Sequence, residues 1–188
     1  MVKYIYVFAI AFLVSYMSTS VGQESSTSGI LSPSLRMVSN SEGHTIIIDV
    51  MPTVVGATDG MPDLRVSMRC VSGCGAPAVA VYDEDVGPAR PAGLSEVWTD
   101  PNHSLFVITI LRVSAFDIMI FDYRDGKFRL ELQSLSKTFP FFKSTKDGRL
   151  VAILDDKDRE KSHFDIRGSA FIWTGSGFHE SGIGDVLP

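Results

Sequence analysis

The residue types that carry most protein chemistry are present in this chain but thinly spread. Its four histidines, His44, His103, His163 and His179, never fall in the His-Glu-x-x-His spacing that sets two imidazoles on one helix face for zinc, nor in any close pair. Each is expected in a surface or turn position. Serines are frequent, yet none sits in a Gly-x-Ser-x-Gly elbow, and Gly175-Ser176-Gly177 is shorter and has the chemistry of a hairpin turn. No glycine loop followed by Lys and Ser or Thr is present to cradle a phosphate. Carboxylates are the remaining acid–base resource. Asp155 or Asp156 with Glu180 is the pair from which a hydrolase site would be assembled, because such groups converge in space rather than in sequence. Nothing in the spacing favours that pair, and "DDKDRE" at 155–160 has the mixed signs of a solvated loop. No catalytic residue, metal ligand set or cofactor is expected.

Aromatic residues are the better candidates for binding. "FDYRDGKFRLE" at 121–131 and "FIWTGSGFHES" at 171–181 share a pattern of Phe, any residue, aromatic, a turn-prone stretch and a further Phe, fifty residues apart. Asp125-Gly126 and Gly175-Ser176-Gly177 supply the positive φ that tight hairpins need. Residues two apart on a strand share a face, so Phe121 points with Tyr123 and Phe171 with Trp173. Packing inside a sheet face is the default role of such pairs, and stacking on a ligand is the alternative. Trp98, Tyr123 and Trp173 are the candidate binding residues.

The elements that must position them read as strands. "SLFVITILRV" is a nearly continuous apolar run, while "FDIMIFDY" and "KFRLELQSL" alternate on either side of Arg124-Asp125-Gly126, the pattern of an antiparallel meander. "TKDGRLVAILD" and "SAFIWTGSGFHES" restart it. Aligning "TDPNHSLFVIT" with "STKDGRLVAIL" sets Leu105 over Leu150 and Val107 over Ala152, which predicts two diverged copies of one β unit. In the first half, "HTIIIDVM", the alternating Leu64, Val66 and Met68, and "APAVAVYD" are strand candidates. Gly87, Pro88, Pro91 and Gly93 then predict a loop, since proline removes a ladder donor. The fold class is all-β: an antiparallel meander of two diverged blade-like units, arranged as a sandwich or a partial propeller.

The hairpins "IFDYRDGKFRL" and "FIWTGSGFHES", preceded by "DGMPDLRVSM" and "KDGRLVAIL", resemble units of secreted β-propeller and integrin-type (FG-GAP-like) repeat proteins. The resemblance implies blade-like topology over short phrases in about half of the chain. Those repeats often carry a calcium loop of alternating aspartates ending in glycine; here "DDKDRE" lacks the glycine and "TKDG" has a single aspartate, so the family's calcium is not implied. A complete propeller needs about four or more four-stranded blades, more than this length supplies.

Compartment follows from the ends and the cysteines. Lys3, the apolar run from Tyr4 to Met17 and the small residues Ser20 and Gly22 have the order of a secretory signal peptide over 1–22, with a retained anchor as the competing reading. The run is shorter than the roughly 20 residues of a membrane-crossing helix. Residues 23–43 are Ser-rich with Gly and Pro and read as a flexible leader, although "ILSPSLRMV" has the makings of an edge strand. Residues 44–188 are expected to form a single β-rich domain. Cys70 and Cys74, the only cysteines, are expected to form a disulfide across a tight turn in an oxidising compartment, secreted or periplasmic. With 17 Lys plus Arg against 22 Asp plus Glu, a net charge of −5, the chain has no attraction for phosphate backbones, so nucleic acid is not an expected partner. Nor is a membrane once a signal is removed. Two function classes remain: an exported non-catalytic protein that binds another protein or an extracellular or envelope polymer, as an inhibitor or immunity protein does, and a small secreted hydrolase using loop carboxylates.

Overall fold

The computed structural model describes residues 34–41, 43–54, 61–74, 80–101, 103–145, 147–155 and 168–182. The expected signal at 1–22, most of the 155–160 acidic run, including Asp156, and His163 lie outside the described residues. Among those described there is no helix, and so none long and apolar enough to cross a membrane. Twelve strands are present: β1 (Leu35–Ser41), β2 (His44–Val54), β3 (Asp63–Ser72), β4 (Ala80–Pro88), β5 (Arg90–Asp100), β6 (His103–Leu111), β7 (Phe116–Arg124), β8 (Lys127–Ser136), β9 (Phe141–Ser144), β10 (Leu150–Leu154), β11 (Ser169–Trp173) and β12 (Phe178–Ser181). They pair in chain order into three four-stranded antiparallel sheets, β1 to β4, β5 to β8 and β9 to β12. The two units expected in the second half are the second and third of these sheets. The first half supplies another of the same kind.

Side-chain parity shows how the sheets stack. In β6, Phe106, Ile108 and Ile110 join Ile46, Ile48 and Leu64 of the first sheet in one core, whereas Leu105 and Val107 join Leu150, Ala152 and Trp173 of the third sheet in another. β7 divides in the same way, with Met119, Phe121 and Tyr123 in the first core and Ile118 and Ile120 in the second. Alternate residues of a strand point to opposite faces, so the second sheet is the middle layer of three. Its two central strands are buried along almost their whole length. This is why "SLFVITILRV" has no polar alternation.

Three sequence expectations are corrected. Residues 87–93 are almost entirely strand, with only Ala89 between β4 and β5. Both strands lie at sheet edges, where proline is tolerated, and Gly87, at φ +75°, pairs with Leu64 at the bulge that separates it from the Arg65↔Asp85 pair. The expected leader is ordered from Leu35, because β1 pairs with β2 from Leu35↔Val50 to Ser41↔His44. The alignment of the two units is one residue out of step. Phe121 faces Phe106 across the ladder and Phe171 faces Ala152, so the equivalent of Ala152 is Phe106 rather than Val107. A one-residue slip exchanges the faces of a strand, and Phe106 and Val107 do serve different cores.

Polar ties fix the layers at their rims. Arg112 donates to the Val86 carbonyl at 2.7 Å and to Asp117 at 2.9 Å, joining β4 to the middle sheet. The Lys137 amide donates to the Asp155 carbonyl at 3.0 Å, joining the end of β8 to the end of β10. On the outer face of the first sheet, the buried Asp49 carboxylate is held between Arg36, at 2.5 Å, and Arg69, at 3.1 Å. The middle sheet contributes to two cores at once, so truncation there is costly. Phe121→Ala is expected to lower unfolding stability by about 3–5 kcal/mol in urea titration.

Candidate functional site

Antiparallel meanders return their alternate turns to one end, and at that end the turns of all three sheets enclose a groove of ≈ 800 Å³. Asn40 and Gly43 reach it from the β1–β2 turn, Trp98 to Pro101 and His103 from the β5–β6 turn, Arg124 from the β7–β8 turn, and Trp173 and Gly175 from the β11–β12 turn. Two of the three candidate binding residues are brought together here. Trp98 and Trp173 are 75 positions apart in the chain and line the same groove.

They do so differently. Trp98 is 51% exposed, whereas Trp173 is 6% exposed and belongs to the second core, packed on Phe178 with ring centroids 5.2 Å apart. Trp173 is thus a fixed floor and Trp98 a solvent-facing wall. Tyr123, the third candidate, does not line the groove: it is buried in the first core and its hydroxyl lies 2.9 Å from His44 Nδ1. That contact meets the polar need of a buried phenol and ties β7 to the start of β2.

The wall is positioned by a polar seam. Glu96 shares a face of β5 with Trp98, and its carboxylate accepts from Ser39 at 2.9 Å and from Ser104 at 2.6 Å. Ser104 Oγ also lies 3.3 Å from Ser41 Oγ. The seam therefore holds β1, and with it the β1–β2 turn, against β5 and β6. Behind that turn, the Cys70–Cys74 disulfide, with Cα atoms 6.0 Å apart, clips the bend that follows β3. Gly73 within it has φ +81°, and a Cβ there would meet the Gly43 carbonyl oxygen at 2.5 Å. The disulfide-clipped turn thus buttresses the turn that lines the groove, and only glycine fits between them.

The floor beside Trp173 is a buried charge cluster that the sequence reading missed. Asp122 is 2% exposed. His103 Nε2 lies 2.8 Å from its Oδ1, and Arg124 Nη2 lies 3.5 Å from its Oδ2. Arg124 Nη2 also lies 3.2 Å from His103 Nε2, so the imidazole, the guanidinium and the carboxylate form one compact cluster. His103 Nδ1 is buried with no hydrogen-bond partner among the described residues, and the ring lines the groove beside Arg124. The surface or turn position expected for His103 is corrected. It opens a strand buried on both faces, and a paired carboxylate is what makes a buried imidazole tolerable. A usable signal existed in "FDYR": a carboxylate inside an apolar strand needs a cation, and Arg124 lies on its face two residues on.

Glu131, on β8, borders the same region, since a Cβ at Gly177 of the β11–β12 turn would lie 3.5 Å from its Oε2. Burial, and secondarily the Asp122 charge, push the Glu131 carboxyl above its ordinary value, against the opposing pull of Arg129 and Arg124. Asp155 and Glu180, the carboxylates considered for hydrolysis, do not line the groove. Glu180 accepts from Ser169 at 3.0 Å, and the Asp155 amide donates to Ser136 Oγ at 3.2 Å. Among the described residues no group of three His, Cys, Asp or Glu is placed to hold a metal ion.

Two predictions follow from this geometry. Trp173→Ala is expected to cost about 3–5 kcal/mol in urea unfolding, while Trp98→Ala stays within about 0.5 kcal/mol of the parent. For Glu131, a raised folded-state value means that its contribution is most favourable below the ordinary carboxylate range and is lost as pH rises through the raised value. Glu131→Gln, which mimics the protonated form, is therefore expected to raise the melting temperature at pH 7 and to leave it close to the parent near pH 4, as read by thermal unfolding at both pH values.

No protein-family model matches the chain, and no curated protein or solved structure matches it.

Proposed function

We propose that this chain is an exported, non-catalytic binding protein that takes another protein or an extracellular or envelope polymer into the groove at the turn end of its sheets. The observation that carries the proposal is the convergence of Trp98 and Trp173 on one groove, the first exposed and the second fixed in the core. A large exposed indole beside a concave, partly polar surface is the usual anchor of a recognition site. The groove also has the size of one, in the range of roughly 300–1,000 Å³. Of the charged and titratable groups in the described lining, His103 and Arg124 are engaged with the buried Asp122, which supports a scaffold role for those two.

Export is supported by the signal-like order of residues 1–22 and by the Cys70–Cys74 disulfide, a bond that persists in oxidising compartments. The blade-like reading draws support from the stacking of consecutive four-stranded meanders. Capture experiments test the proposal. The chain lacking residues 1–22 is immobilised beside Trp98→Ala and exposed to a cell-envelope and secretion extract divided into polysaccharide and protein fractions. Retention of a component by the parent, reduced at least about tenfold in the variant, is the expected result, since the loss of one aromatic anchor is worth about 1.4 kcal/mol or more. Equal retention by both proteins would move the binding surface away from the groove.

A further inference from the structure

The charges around the groove narrow the ligand class. Arg124 is the arginine of the lining among the described residues, and it is already engaged: Asp122 lies 3.5 Å from its guanidinium, and the Glu131 carboxyl feels both. Across the groove the β5–β6 turn contributes Asp100. A phosphate or carboxylate arriving at Arg124 would have to displace a buried partner and would meet further acidic groups, while a cation drawn to the indoles would meet Arg124 itself. Among the described lining residues, Asn40 and Thr99 are neutral and offer hydrogen-bonding groups of both kinds. Asn40 Oδ1 accepts the Thr45 hydroxyl at 2.9 Å, and its amide nitrogen is a donor. Thr99 donates to the His103 carbonyl at 3.1 Å and keeps its oxygen lone pairs.

We infer that the groove binds a neutral, pyranose-based oligosaccharide or a stretch of such a polymer, with a sugar ring laid on Trp98 and its hydroxyls on the Asn40, Thr99 and Asp100 rim. This rests on the groove being the binding site. A pyranose pairs an apolar face of polarised C–H groups with a girdle of hydroxyls that both donate and accept. The first suits the electron-rich face of an indole, and the second suits a rim that combines an amide, a hydroxyl and a carboxylate. The fixed Trp173 and the disulfide-backed β1–β2 turn give the groove a shape set before the ligand arrives, which limits the ordering cost of binding a flexible chain.

The chain has two tryptophans and both line the groove, so its intrinsic fluorescence reports occupancy directly. The test titrates the chain lacking residues 1–22 by fluorescence and calorimetry with neutral hexasaccharides (cellohexaose, chitohexaose and maltohexaose), a cationic glucosamine hexamer and an anionic mannuronate hexamer. At least one neutral hexamer is expected to change the emission and bind with Kd below about 1 mM, at least about tenfold tighter than either charged hexamer. Trp98→Ala is expected to weaken that binding at least about tenfold, with Trp98→Phe restoring part of it. Tighter binding of a charged hexamer, no binding of any neutral one, or unchanged affinity in Trp98→Ala overturns the inference. Loss of the sugar arm alone leaves groove binding standing where Trp98→Ala still abolishes capture of another component. When Trp98→Ala changes neither measurement, both readings fall.

Discussion

Burial of the middle sheet on both faces is the constraint from which the remaining architecture follows. A β-strand offers alternate side chains to two sides, and β6 and β7 spend both sides on apolar contacts, one toward the first sheet and one toward the third. The first sheet differs, since its face away from the core carries Arg36, Asp49 and Arg69. Because the apolar surface of β6 and β7 is buried only when both neighbours are docked, the three sheets are expected to fold as one cooperative unit rather than as separable blades. The described residues accordingly fall within one compact unit.

That arrangement decides where charge is tolerated. Asp49, Asp117 and Asp122 are each at most 5% exposed, and each is met by arginine whose own side chain stays between 31% and 60% exposed. The long guanidinium stem covers the carboxylate while its head keeps water, so neither partner carries the full desolvation penalty of a buried pair. Asp117 and Asp122 lie near opposite ends of β7 and on opposite faces. Arg112 uses the first to fasten the β4 end, and Arg124 uses the second to form the groove floor. One strand therefore supplies a rim tie on one side and a site element on the other.

Much of this was legible in the sequence where local chemistry dominates. Asp125 at φ +53° and Gly126 at φ +72° make the β7–β8 turn as their types require, and the nearly continuous apolar run of β6 fits a strand covered on both faces. What stayed hidden depends on neighbours. Pro88 and Pro91 break a ladder only in central strands, so their inclusion in β4 and β5 follows from edge positions that no local pattern reveals. The unit alignment slipped by one because matching apolar residues is satisfied equally well on either face when both faces are buried. The disulfide and the pairing of Phe121 with Tyr123 on one face were readable. Tyr123 takes the packed position that is the default for such a ring, and its hydroxyl partner, His44, is not legible locally because it comes from another sheet. His103 and Asp122 are 19 positions apart and meet only through the β6–β7 ladder, in which Leu105 faces Asp122.

The contrast between the two tryptophans is itself a consequence of layer position. Trp173 stands at the end of an inner strand of the third sheet, facing the middle sheet, so its ring is held by Phe178 and by His103, whose centroid is 6.2 Å away. Trp98 stands near the end of an edge strand of the middle sheet, beyond the reach of either core, and stays in solvent despite the cost of leaving a large apolar ring exposed. Folding alone gives no reason for that exposure, since a polar residue would satisfy β5 at this point as well. The Glu96 seam spends buried hydrogen bonds two residues away on holding the strand against β1 and β6, which fixes the backbone from which the indole projects. A rigid backbone beneath a solvent-facing aromatic, opposite an aromatic that cannot move, is the arrangement that lowers the entropy lost on binding. The same features that leave the fold indifferent to Trp98 make it suited to recognition.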